Sequence, residues 1–388
     1  MGSGLLTLFG DALVREQDVV LVGINHRLNV FGYLYLGGLS EKYKEGNPGQ
    51  LDLVAALEWV RDNITGFGGD PNNVTIFGES GGGAKVSALM AMPSAKGLFH
   101  RAIVQSGSSL RAGSADSGTA TAKALLAKLG LNENQVDELQ KITADKLFAA
   151  TQGENTDPGV MPRGGLRTGP VVDGYTIPQQ TWDPKAPELS AHIPMIIGND
   201  KDESTLFSLR NEALFKLDEP GLRDELIKAG VPEDKVDPLI ALYQRNHPAE
   251  SPSDLYFRIS TDRGARTNAT KQAELKCEQG KANVFLYYFQ WNTPLADGKI
   301  KAFHTAELPL VMGVRLYPES EQLSRQLGGA WASFARNGDP SQKGLAWPAY
   351  TISQRATMVF DGDKSEAVND PDREERIFAL DIPSRRPL

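Results

Sequence analysis

The stretch Val74-Thr75-Ile76-Phe77-Gly78-Glu79-Ser80-Gly81-Gly82 decides the fold. Val74 to Phe77 is an apolar, β-branched run of strand composition that stops at Gly78. Residues 84 to 92 resume a helix-like composition. Between the two lies Gly-x-Ser-x-Gly, a spacing that turns a strand sharply into a helix and holds the serine hydroxyl clear at the C-terminal edge of a sheet. Glycines two before and two after the serine are expected to remove Cβ atoms that would clash in so tight a turn. The following helix directs its free N–H groups at the serine. With 39 glycines in the chain, the pentapeptide alone could be a plain glycine-serine loop. The strand before it and the helix after it supply the context the motif requires.

Working outward, Asp18-Val19-Val20-Leu21-Val22-Gly23-Ile24 reads as a central strand buried on both faces. Leu51 to Ile64 carries apolar residues near helical period, and Gly66, Gly68, Gly69 and Pro71 break the chain after it. Arg101 to Gln105 is a further strand. Strand and helix alternating over short breaks predict a parallel sheet with crossover helices. From 110 to 160 the composition shifts to a helical insertion, with Asn132 and Gln135 marking a helix start. A strand returns at Pro194–Gly198, and 208–280 reads as a second helical insertion. Ala282–Phe289 and Thr357–Phe360 read as strands, and Leu327–Asn337 as a helix. The expected architecture is α/β: one domain over 1–388, a mostly parallel central sheet with helices on both faces.

Composition narrows the function. The 388 residues carry 23% charged and 40% hydrophobic residues and a formal net charge of -8. An acidic chain without a basic stripe argues against nucleic-acid binding. No apolar run approaches the ~18 residues of a membrane-spanning helix. The one cysteine, Cys277, rules out a disulfide within this sequence and reads as an ordinary helix residue. The opening Met1-Gly2-Ser3-Gly4-Leu5-Leu6 has neither the basic nor the long apolar region of a signal peptide, which weakly favours the cytoplasm.

A serine nucleophile needs a base, because a free hydroxyl attacks poorly. Where this elbow occurs on an α/β sheet, the order along the chain is serine, acid, histidine. Of the five histidines, His26 precedes Ser80 and His100 follows it too soon for an intervening acid. His192 leads into a strand. His247, beside Pro248 in helical sequence, is most simply a surface residue. His304 follows a β run and a glycine-containing loop, so it is favoured. For the acid, Asp200, Asp202 and Glu203 compete directly after the strand ending at Gly198, and the residues alone do not separate them.

These residues belong to a larger pattern. Asn25-His26-Arg27-Leu28, Gly46 to Asp52, Trp59 to Ile64, Phe67 to Pro71, the elbow itself, Gln105 to Ser108, Pro170 to Gly174, Asp202-Glu203-Ser204, His304-Thr305-Ala306-Glu307 and Trp331 to Pro340 follow one another in the order of the type-B carboxylesterase family, which the chain resembles. The resemblance implies the α/β-hydrolase fold and a serine esterase acting on small-molecule esters without metal or organic cofactor. It assigns Ser80 as nucleophile, Glu203 as the triad acid and His304 as base. It gives the Gly81 N–H to the oxyanion hole, places Glu79 along the site, and makes Ser106 and Asp52 buried polar supports, Asp52 in a structural role. An esterase-like binding protein, the competing reading, is expected to lose a triad member.

One departure stands out. The family draws two more oxyanion donors from a His-Gly-Gly-Gly loop upstream of residues 18–24, and this sequence has none. Gly2-Ser3-Gly4 would be its trailing edge. The expectation is that the first strands of the sheet are missing, from a truncated reading frame of an active enzyme in preference to a decayed remnant, and that activity is impaired.

Overall fold

The computed structural model describes residues 9–153, 165–315 and 317–382. Gly2-Ser3-Gly4 and positions 154–160 of the first expected insertion lie outside these. Among the described residues the sheet runs in the order β1 (Thr75–Glu79), β2 (Arg101–Gln105), β3 (Met195–Asp200), β4 (Val284–Phe289), β5 (Ala356–Phe360) and β6 (Glu366–Asn369). Strands β1 to β5 are parallel, and β6 pairs antiparallel with β5.

Alternate strand residues feed two different cores. Ile76, Ala102, Val104, Met195, Ile197, Val284 and Leu286 pack with Leu53, Val86, Leu89, Ala273 and Leu275 of the helices Pro48–Asn63, Gly81–Leu89 and Thr267–Glu278. Ile103, Ile196, Phe285, Tyr287, Phe289, Met358 and Phe360 pack with Leu323, Leu327, Trp331 and Phe334 of the helix Glu321–Asn337. With both faces covered, the strands need apolar residues throughout, which is why they read as unbroken hydrophobic runs. Each large side chain so buried contributes roughly 1.5–3 kcal/mol relative to exposure.

Two strand assignments change. Residues 18–24 form no β-ladder among the described residues. Val19 and Leu21 pack beside Leu13, Phe77 and Met312, whereas Val20, Val22 and Ile24 are 44%, 37% and 39% exposed. The run is covered on one side only, so its β-branched composition reports an extended preference and not a central strand. Conversely, β6 was not anticipated. Glu366-Ala367-Val368-Asn369 is an edge strand with exposed ends, so it carries no apolar run to announce it.

The region 115–151 holds the helices Ala115–Lys128 and Ala144–Thr151 with a 3-10 segment Glu133–Lys141 between them. The Asn132 N–H donates to Gln135 Oε1 at 2.9 Å, as the helix-start reading requires. Between β3 and β4, the helices Glu219–Lys228, Glu233–Asn246 and Pro252–Thr261 bury Leu222, Leu226, Val236, Leu239, Tyr243 and Leu255 in a third core. A π-helical turn, Asp262–Arg266, joins Pro252–Thr261 to Thr267–Glu278, which packs back on the sheet. No described helix is long and apolar enough to cross a membrane.

Candidate active site

Ser80 stands between β1 and the helix Gly81–Leu89 at φ 55° and ψ −120°, a backbone region costly for a non-glycine residue. Its N–H donates to Gln105 O at 2.8 Å and its carbonyl accepts from Ala84 N at 3.0 Å, so both flanks of the turn are pinned. The glycine expectation holds in part. A Cβ on Gly78 would lie 2.5 Å from Gly82 C, and one on Gly107 would lie 2.3 Å from Ser80 O. Gly82 has open space where its own Cβ would go. The turn therefore needs a bare Gly78 and lends that approach through Gly82's backbone. Gly81, as first residue of its helix, has an N–H without an intrahelical acceptor.

His304 lies in the loop after β4, 5% exposed, under the ring of Phe207 at 4.9 Å. Its Nδ1 is hydrogen-bonded to Glu203 Oε2. Glu203 is fully buried, and its Oε1 accepts from Asp200 N at 3.0 Å while its own N–H donates to Thr261 Oγ1 at 3.1 Å. Among the described residues neither of the other two acids is hydrogen-bonded to the His304 ring. Asp202 Oδ2 accepts from Ala302 N at 3.3 Å and lies 3.5 Å from Lys201 Nζ. Asp200 Oδ2 accepts from Ala306 N at 3.2 Å. His304 Nε2 lies 3.2 Å from Glu79 Oε1, and among the described residues the Ser80 hydroxyl makes no hydrogen bond.

The surroundings are acidic. Burial, with the charges of Glu307 and Glu203 added, pushes the Glu79 carboxyl up to about 8, against the pull of His304. Burial and the Glu307 and Glu203 charges hold Asp200 well above the usual carboxylate range. For His304, burial favours the neutral ring, but the Glu203 hydrogen bond and the charges of Glu203, Glu79 and Glu307 outweigh it and raise the ring to about 9. His304, Glu79 and Asp200 thus hold protons as one coupled cluster, each raised above its ordinary value by burial or by the charges of the others.

Three residues of this environment had no role assigned from sequence: Glu307, Gln105 and Asp200 as a support. Glu307, fully buried, accepts from Gln105 Nε2 at 2.8 Å and Tyr287 OH at 3.3 Å, and Gln105 Oε1 accepts from Trp331 Nε1 at 3.1 Å. The signal available was a carboxylate one helical turn from His304, in His-Thr-Ala-Glu. Ser106 follows β2 at φ 47°, its N–H donating to Gly198 O and its Oγ buried without a partner. Asp52 pairs with Arg27, Nη2 to Oδ1 at 2.6 Å, which ties the 25–28 loop to the helix Pro48–Asn63. His100 accepts from Val74 N at 3.1 Å, at the end of β1 remote from Ser80. His247 is not a surface residue: its Nε2 lies 2.8 Å from the fully buried Glu375.

Strand, elbow and histidine loop on a mostly parallel sheet define an α/β-hydrolase fold. The family model described as "Carboxylesterase family" matches residues 1–378, and the chain belongs to that family. It is a carboxylic ester hydrolase. The para-nitrobenzyl esterase of Bacillus subtilis (strain 168) is 36% identical over 399 residues, spanning 97% of this chain and 76% of that protein. Human cocaine esterase is 31% identical over 89% of this chain and 64% of its own length. The carboxylesterase EST55 of Geobacillus stearothermophilus superposes with a TM-score of 0.81 at 38% identity, covering 97% of this chain and 79% of that one.

Proposed function

We propose that this chain hydrolyses carboxylic esters through an acyl-enzyme, with Ser80 as nucleophile, His304 as general base and then acid, and Glu203 as the orienting carboxylate. The observation that supports this best is His304 itself: a buried ring, its Nδ1 committed to Glu203 and its Nε2 directed at Glu79 of the elbow, next in sequence to Ser80. On substrate binding Nε2 leaves Glu79 for the Ser80 hydroxyl, and apo geometry of this kind commonly tightens only in the complex. Ser80 Oγ attacks the ester carbonyl as Nε2 takes its proton. The Gly81 N–H stabilises the oxyanion, the protonated ring returns the proton to the leaving alcohol, and water repeats the cycle on the acyl-enzyme. Glu79 and Ser106 support the site. No step calls for a cofactor.

Relatives by resemblance add two oxyanion donors from the His-Gly-Gly-Gly loop. We also read 1–388 as one domain whose helical segments at 110–160 and 208–280 roof the site and set substrate size. Exchanging those segments with a homologue's should then change the range of esters accepted. The central test is hydrolysis of short p-nitrophenyl esters by the native chain and by Ser80→Ala. The variant should fall to the buffer rate, and equal rates for the two would sink the proposal.

A further inference from the structure

We propose that His247, Asp372 and Glu375 form a binding site for one divalent transition-metal cation, with Zn²⁺ the best match to their donor set. Three chain positions converge there. His247 ends the helix Glu233–Asn246, its N–H donating to Tyr243 O at 2.8 Å. Asp372 takes a left-handed conformation, φ 51° and ψ 47°, immediately before the helix Arg373–Asp381, and Glu375 follows in the first turn of that helix. Residues spaced i and i+3 here lie on one helix face. One ligand atom from each of the three lies within 4.8 Å of the others.

Two of the three donor residues have atoms left over by the protein's own bonding. Glu375 is fully buried, its Oε1 accepts from Asn246 Nδ2 at 3.0 Å, and its Oε2 has no partner. His247 Nε2, also buried, makes no hydrogen bond even though Glu375 Oε1 is 2.8 Å away. The nitrogen lone pair and the carboxylate are therefore close but not aimed at each other. A buried carboxylate oxygen without a donor is expensive, and a cation is the ligand that relieves it. Arg266 Nη1 donates to Asp372 Oδ2 at 3.0 Å and to Asp262 Oδ1 at 3.2 Å, which orients Asp372. Zinc accepts imidazole nitrogen and carboxylate oxygen at ~2.0–2.2 Å, which places ligand atoms roughly 3.3–3.6 Å apart around it. Closing the observed spread to that value takes about an ångström of side-chain rotation. Asn246 already supplies the outer hydrogen bond that steadies a ligating carboxylate.

The site shares no residue with the triad, so the cation would join the end of one helix to the start of another and take no part in ester chemistry. The test uses untagged, chelator-stripped full chain titrated with ZnCl₂ by calorimetry, with thermal unfolding followed in parallel. Because removing the buried Glu375 risks unfolding, His247→Ala and Asp372→Asn are the variants. The native chain should bind about one equivalent and melt at higher temperature when loaded. Each variant should bind at least roughly tenfold more weakly, with p-nitrophenyl ester hydrolysis unchanged. No binding by the native chain, or equal binding by both variants, overturns the proposal. Destabilisation of metal-free His247→Ala without a zinc effect on the native chain would mean an ion pair only, and would overturn it too.

Discussion

Glu79 and Ser80 are neighbours along the chain that compete for one imidazole nitrogen. Glu79 Oε1 sits 3.2 Å from His304 Nε2, and its charge helps hold the ring proton. With His304 as the proposed general base, its neutral form is the reactive one, and kcat/KM for a p-nitrophenyl ester should rise with pH through neutrality toward about 9. Glu79→Gln removes one of the charges holding that proton, so the rising limb should move to lower pH. A limb that stays put in the Gln variant would show that Glu79 does not govern the ring. Glu203→Gln also removes charge, but it takes away the acceptor that fixes the ring's tautomer and orientation as well. There the rate itself should collapse, by about 10⁴ as for other triads of this logic, and a pH shift alone would contradict the assignment.

At the scale of the element, the elbow makes a paired prediction. Gly78→Ala drives a Cβ into the backbone of Gly82 and should lower stability by about 1–3 kcal/mol, read as a fall in thermal midpoint. Gly82→Ala meets nothing and lies in a helix, so it should be neutral or stabilising by up to about 1 kcal/mol. Equal losses in the two would refute this division of labour. The elbow, β2 and β3 were legible in sequence because burial on both faces leaves a local apolar run. The 18–24 run misled because composition records a preference for extended chain and cannot say whether a partner strand lies alongside. β6 was silent because an edge strand needs few apolar residues. Ser80, His304 and the acidic loop were legible from motif, order and elimination, while the choice of Glu203 came only from family resemblance. Gln105 and Glu307 were not legible, because a buried polar residue announces itself only by partners, here from β2, β4, the helix Glu307–Val311 and the helix Glu321–Asn337.

For the whole molecule, the acidic pocket sets how stability varies with pH. Glu79 is raised from an ordinary 4.5 to about 8, and Asp200 is raised too, so the folded chain binds more protons than the unfolded one between those values. His304, raised from 6.5 to about 9, acts in the same direction. Stability from these groups is present in full below their unfolded values and is lost as pH rises through the folded ones. Urea midpoints should therefore decline between pH 5 and about 9, and a midpoint that climbed over this range would contradict the reading. The sheet core does not share this sensitivity, so the enzyme gains reactive base and loses stability over the same interval. The same pocket has a thermochemical side. Unfolding near neutrality releases protons to the solvent, and the solvent's buffer absorbs them with its own heat. The calorimetric enthalpy of unfolding should thus differ between phosphate and Tris at matched pH, while replacing Glu79 by glutamine should shrink that difference.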